Sequence, residues 1–251
     1  MLSNMIFVTG DTHGDFYRFS ETEFPERKEM TRDDTMIICG DFGGVWCGDE
    51  RDNEELDQLA QLPFTIVFVS GNHENFDALA RYPVTEWNGG KVQFIRPNVI
   101  HLMRGQIVTI EGLKFFGMGG AASHDIADGI LDPYAPDFEV QYWFMRRNRA
   151  MFRVNHYSWW KEEMPSDEEY AEAQRNLDAH GRKVDYIITH CGPNSVIDLH
   201  SGRLYGHDKM TDFLETILQT VEYKHWYMGH YHDTTDINKH TILYETIDRI
   251  V

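Results

Sequence analysis

At 251 residues, 41% of them hydrophobic and 13% aromatic, the chain can bury a substantial core, which excludes a disordered polypeptide and suits one large domain. Forty-one acidic against 23 basic residues leave a formal net charge of −18; that field repels long polyanions, so long nucleic acid is not the expected partner, although a local basic or metal-charged pocket can hold a small phosphate. No apolar run is long enough for a membrane helix, and Cys39, Cys47 and Cys191 contain no Cys-x-x-Cys pair, so they read as free thiols of a reducing, cytoplasmic compartment.

The opening MLSNMIFVTGD is not read as a secretory leader, because Asp11 and Asp15 interrupt it before an apolar region develops. Short β-rich runs follow at Met5–Val8, Met36–Cys39 and Thr65–Val69, each ending in a glycine and polar residues: Gly10-Asp11, Gly40-Asp41 and Gly71-Asn72. Buried strands with polar residues just past their C-terminal ends are the layout of an α/β sheet. Helices are predicted at Asp52–Gln61 and Glu74–Arg81, the second stopped before Pro83. Gln106–Ile110 and Leu113–Phe116 flank Glu111-Gly112 as a hairpin. The stretch 121–165 is expected to be a loop-rich insertion within a single domain spanning 1–251. Ser166-Asp167-Glu168-Glu169 is a capping box opening a helix that ends near Gly181. Two further strands, Tyr186–Thr189 and His225–Met228, deliver His190 and Gly229-His230.

The strand ends repeat one kind of chemistry. Gly10-Asp11-Thr12-His13 gives a carboxylate and an imidazole, Gly40-Asp41 a second carboxylate, and Gly71-Asn72-His73 an amide and an imidazole; His190, His230 and His232 add three more imidazoles. Mixed oxygen and imidazole donors suit divalent transition metals better than calcium or magnesium, and Mn, Fe, Zn, Ni or Co all satisfy such a set. With His73 set aside, seven donors exceed what one ion that also holds water can use. They suit two ions sharing a carboxylate, roughly 3.5–4 Å apart, which can present a bridging hydroxide for in-line attack at phosphorus.

The ordered motifs GDTHG, GD, GNHE, TH and GHYH resemble those of the calcineurin-like metallophosphoesterase superfamily, and GDFGGVW, SWWKEEMPS and VDYIITHCGP resemble a bacterial metallophosphoesterase branch. The resemblance implies an αββα sandwich of two stacked mixed sheets. It implies one metal held by Asp11, His13, Asp41 and His232, and a second held by Asp41, Asn72, His190 and His230, with Asp41 bridging. It implies His73 as a catalytic non-ligand that contacts the phosphoryl group or protonates the leaving oxygen. The chain departs from the protein Ser/Thr phosphatases, which carry GDxVDRG where this sequence has Gly40-Asp41-Phe42-Gly43-Gly44-Val45-Trp46; protein dephosphorylation is therefore not the expected activity.

Substrate contacts are sought in the insertion. Arg146, Arg147, Arg149 and Arg153 are spaced so that several could share a helix face and hold substrate phosphate, or simply be solvated, and His124 with Asp125 could line the pocket mouth. The function expected is hydrolysis of a small phosphomonoester or phosphodiester, a nucleotide among the candidates. The alternatives are a single-strand nuclease, disfavoured by the acidity, and a catalytically silent binding module, disfavoured because every motif position is filled. The sequence carries no signal of oligomeric state.

Overall fold

A computed structural model describes residues 4–251; the first three residues of the opening stretch lie outside it. In chain order, the elements are β1 (Ile6–Thr9), β2 (Thr35–Ile38), α1 (Glu50–Leu59), β3 (Thr65–Phe68), α2 (Phe76–Leu79), β4 (Val84–Trp87), β5 (Gly90–Arg96), β6 (Val99–Leu102), β7 (Gln106–Ile110) and β8 (Leu113–Met118). There follow β9 (Gly129–Leu131), α3 (Phe138–Arg147), β10 (Phe152–Val154), α4 (Asp167–Ala179), β11 (Tyr186–Thr189), α5 (Asn194–Ser201), α6 (Lys209–Thr220), β12 (His225–Met228), β13 (Thr235–Ile237), β14 (His240–Ile242) and β15 (Ile247–Arg249).

Seven strands form one mixed sheet in the order β15-β1-β2-β3-β6-β5-β4, and six form another in the order β13-β14-β12-β11-β8-β7. The site-bearing strands β1, β2 and β3 run parallel in the first sheet, as do β11 and β12 in the second, so their C-terminal ends gather at common edges. Alternate side chains on β1 explain why Ile6, Phe7 and Val8 are all apolar. Ile6 and Val8 join Val67, Phe115 and Ile188 in the layer between the sheets, while Phe7 packs outward with Leu56 and Leu59 of α1. On the far side of the second sheet, Ile187 and Trp226 pack against Ala173 and Leu177 of α4 and Leu214 and Ile217 of α6. Each such aliphatic side chain, fully buried, contributes about 1.5–3 kcal/mol, so both faces of both sheets are committed to packing. The result is the αββα sandwich.

Local chemistry sets the helix starts. Asp49 caps α1 by accepting the Arg51 N–H, and Ser166 and Glu169 form the capping box of α4. The helix expected from Glu74 to Arg81 shrinks to four residues: the Glu74 carboxylate turns back into the preceding loops, and Asn75 caps the helix by accepting the Ala78 N–H. The 121–165 segment is more regular than a loop. It contains α3 and a two-stranded parallel ribbon of β9 with β10. It is anchored beside α2 by Asp77, which accepts from Trp160 Nε1 at 2.7 Å and pairs with His156 Nδ1 at 2.7 Å. No described helix is long and apolar enough to cross a membrane.

Candidate metal centre

Asp11, Asp41, Asn72, His190 and His230 leave the C-terminal ends of β1, β2, β3, β11 and β12 and meet where the two sheets face each other. Asp11 and His190 are fully buried, Asp41 nearly so. His13, Asp41, His230 and His232 all have positive φ, from 45° to 73°. Non-glycine residues adopt that region at a cost and cluster at functional sites when the surroundings hold them there.

Asp11, His13 and His232 form one group of close donor atoms, and Asp11, Asp41 and His190 another. Asp11 Oδ2 lies 3.3 Å from His232 Nε2 and 3.8 Å from His13 Nε2, and those two imidazole nitrogens are 3.1 Å apart. In the second group, His190 Nδ1 is 2.8 Å from the Cys39 carbonyl, which sets it as the donor and leaves Nε2 facing Asp41 Oδ1 at 3.2 Å and Asn72 Oδ1 at 3.1 Å. His230 stacks edge-on to His190 with ring centroids 4.9 Å apart. Nitrogen, carboxylate and amide atoms this close are reconciled by a proton or by a cation between them, and O/N donors of this mixture fit a divalent transition metal. Burial opposes charge on His190, but Asp41 and Asp11 outweigh it and lift its pKa to about 9; with no ion between them a proton sits on Nε2, and a bound cation would take that proton's place. His232 is also raised, by its hydrogen bond to Asp11. For Asp41, burial is overcome by His190, and the carboxyl is held well below its usual range.

The backbone is shaped around these carboxylates. A Cβ on Gly71 would stand 1.9 Å from Asp41 Oδ1, and one on Gly229 would stand 2.1 Å from Asp11 Oδ1. Asp41 Oδ1 also accepts the His73 N–H at 2.8 Å, and Asp11 accepts the His230 N–H at 2.9 Å. The His73 ring sits 5.3 Å from that of His13; burial pushes its imidazole below the usual range, with Asp41 opposing and Arg153 adding to the push.

The expected substrate residues separate. The His124 ring is 4.8 Å from His230, beside the cluster. Arg153 pairs with Asp125, and its charge reaches His73. Only Arg146 and Arg147 lie on a helix, because α3 ends at Arg147; Arg149 has φ +54° beyond it and Arg153 belongs to β10. Arg146 and Arg153 line one cleft, whereas Arg147 and Arg149 are exposed outside its lining.

Three supporting groups are not among the site residues expected from the sequence. The Asn72 amide donates to Ser123 Oγ at 3.3 Å, and Ser123 is held by Glu163 through its N–H at 3.0 Å and its hydroxyl at 2.6 Å, which leaves Asn72 Oδ1 turned toward His190. Glu74, within the GNHE motif, accepts the Phe42 N–H at 2.8 Å and those of Gly43 and Gly71 at 3.4 Å; burial and Asp41 raise its pKa to about 8 against those donors. Arg18 donates to the backbone carbonyls of Asp11 and Tyr244, both at 2.6 Å, fixing the loop after β1. Such outer contacts orient the groups that would ligate a metal. Glu74 adjoins two motif residues and could have been found; Ser123 and Glu163 are distant in sequence from what they hold, and Arg18, though near Asp11, reaches Tyr244 across 226 residues.

The profile of the family described as Calcineurin-like phosphoesterase matches residues 5–234. The Lariat debranching enzyme of Drosophila melanogaster is 24% identical over 250 residues, covering 90% of this chain and 42% of that protein. Lariat debranching enzyme A of Xenopus laevis is 27% identical over 155 residues, covering 53% of this chain and 27% of that one. The chain thus spans less than half the length of these relatives. The crystal structure of a Staphylococcus aureus protein named "Putative 5'-Nucleotidase" aligns over 98% of this chain and 50% of its own, with a TM-score of 0.50 at 14% identity, a likeness of fold.

Proposed function

The chain belongs to the calcineurin-like phosphoesterase family, whose members are phosphoester hydrolases, and from that membership and the donor cluster we propose that it hydrolyses a small phosphomonoester or phosphodiester with two divalent transition-metal ions. The observation that carries the reading is the pair of donor groups around two buried carboxylates. Asp41 directs Oδ1 to His190 and Oδ2 to His13, at 3.2 and 3.8 Å, which suits a bridging ligand. On this reading Asp11, His13, Asp41 and His232 hold one ion, and Asp41, Asn72, His190 and His230 the other. Bound ions would supply Lewis-acid polarisation of the phosphoryl oxygens and a water acidic enough to attack at neutral pH.

The protein's own groups do the rest. His73, fixed by the Asp41 contact to its backbone, would give a proton to the departing oxygen of an ester held at the donor cluster. Arg153 adds positive charge on the same side, favouring an anionic ester. Cys39, Cys47 and Cys191 are all free, which supports action in a reducing compartment such as the cytoplasm.

The relatives named for debranching lariats favour a second reading, a phosphodiesterase acting on nucleic acid. The charge of −18 weighs against long strands. Metal-reconstituted protein assayed on phosphomonoesters, dinucleotides, branched oligonucleotides and long RNA decides between them. Faster turnover of small esters at equal phosphate concentration is expected; faster turnover of long or branched RNA would promote the second reading, and inactivity on every ester would end the first.

A further inference from the structure

A cleft of about 700 Å³ is lined by residues of the 121–165 segment. Its connection to the donor cluster runs through one lining residue, Asp125, which follows His124, whose ring lies 4.8 Å from His230; Asp125 in turn accepts from another lining residue, Arg153, at 2.8 Å. One wall is aromatic. Phe138, Tyr142 and Phe152 pack with centroids 5.6 and 5.7 Å apart, each only half-buried. Arg146 lies over the Tyr142 ring at 5.8 Å, and Tyr157, 67% exposed, completes the lining.

The fold does not explain this wall. None of the ten residues of α3 is buried, so Phe138 and Tyr142 serve no core. Arg146 makes no ion pair among the described residues, although the chain carries 41 carboxylates. Half-exposed rings with a stacked guanidinium form a surface for a flat heteroaromatic group. Rings supply stacking, and the guanidinium N–H groups can donate to ring nitrogens and carbonyls. A cleft of this size suits one small ligand.

Resting on the esterase reading, we propose that this cleft receives the base of a nucleotide whose phosphoryl group lies at the donor cluster. The base is then a specificity element of the substrate, held by Tyr142, Phe152, Tyr157 and Arg146, while the ester is cleaved by the groups already described. A phosphotyrosyl peptide also carries a ring, but it lacks the ring nitrogens and carbonyls that Arg146 could read.

The test compares adenosine 5′-phosphate with ribose 5-phosphate on metal-loaded protein, since the two share the ester and differ by the base. The nucleotide should show at least tenfold higher kcat/KM. Tyr157→Ala and Arg146→Gln change exposed side chains outside the core, so they should fold; each should cost the nucleotide about tenfold, through KM, and leave ribose 5-phosphate unchanged. Equal kcat/KM on the two substrates, or a phosphotyrosyl peptide outrunning the nucleotide, overturns the cleft assignment and leaves the esterase reading standing. If neither monoester turns over, equilibrium dialysis with adenosine decides. Retention by the wild type that falls about tenfold in Tyr157→Ala sustains the cleft while the monoesterase reading falls, and absence of retention overturns the cleft as well.

Discussion

The Asp41 carboxylate holds His73 by its backbone: the His73 N–H donates to Asp41 Oδ1 at 2.8 Å. A residue of the donor cluster thus fixes the Cα of the proposed proton donor while leaving its imidazole free to act. Protonation matters for alkoxide leaving groups and little for nitrophenolate. His73→Ala is therefore expected to keep its metal and lose about 10²–10⁴-fold in kcat on an alkyl phosphoester, with a far smaller loss on a p-nitrophenyl ester. Single-turnover rates check that chemistry is being compared. Equal losses on both esters would reassign His73 to charge stabilisation on the phosphoryl oxygens, and lost metal would make it a ligand.

Asp41 faces both donor groups, so Asp41→Asn should disturb both ions, whereas His13→Ala removes a donor from one. Elemental analysis of saturated protein should give about two ions per wild-type chain, with a larger loss in Asp41→Asn than in His13→Ala. Saturation of the wild type at one ion would contradict the two-ion reading.

Gly71 is required by contact. Its Cβ position is 1.9 Å from Asp41 Oδ1 and 2.4 Å from the Asp41 backbone nitrogen. Gly71→Ala should cost about 1–3 kcal/mol of stability and weaken metal binding at least tenfold. Gly206→Ala, where an added Cβ meets nothing within 4 Å, is the control and should change neither. Denaturant melts and metal titration of the two variants test this; tolerance at position 71 would mean the Asp41 loop can shift freely.

The arginines should divide as the structure divides them. Arg153→Gln, in the cleft lining and paired with Asp125, is expected to raise KM about tenfold with metal content unchanged, whereas Arg147→Gln and Arg149→Gln should stay within about twofold. A uniform response across the three would show that their placement does not govern substrate binding.

His101 gives a pH signature of stability away from the metal centre. It is buried, its Nδ1 bonds Gln93 Oε1 at 2.8 Å, and its Nε2 has no partner among the described residues. Burial, with Arg104 nearby, depresses its pKa to about 3. The unfolded chain takes up this proton near pH 6.5 while the folded protein does not, so the unfolded state binds more protons between about pH 3 and 6.5. Stability conferred by the neutral form is whole above pH 6.5 and lost as pH falls through that window. Between pH 7 and 5 the loss should be about 2 kcal/mol, and His101→Gln should lack it, whatever constant offset the substitution brings. Urea melts of both proteins at the two pH values measure the difference; identical pH slopes would refute the assignment.

The sequence by itself placed the strands of an α/β sheet and named the donors expected at their ends; the sandwich came from the resemblance of its motifs to a family. Strand-sized apolar runs ending in Gly-Asp, Gly-Asn, Thr-His and Gly-His state locally where each strand stops and which donor follows, and parallel pairing then brings those ends together. It did not determine the length of α2, because the Glu74 carboxylate bonds Phe42, 32 residues away. Nor did it reveal Ser123 and Glu163 behind Asn72, or Arg18 across from Tyr244, since hydrogen bonds spanning 40 to 226 residues leave no periodic trace. It grouped four arginines by spacing. Only the tertiary structure parted them, by ending α3 at Arg147 and carrying Arg153 on β10 to Asp125, because the direction of a side chain depends on the element and the neighbours that hold its backbone.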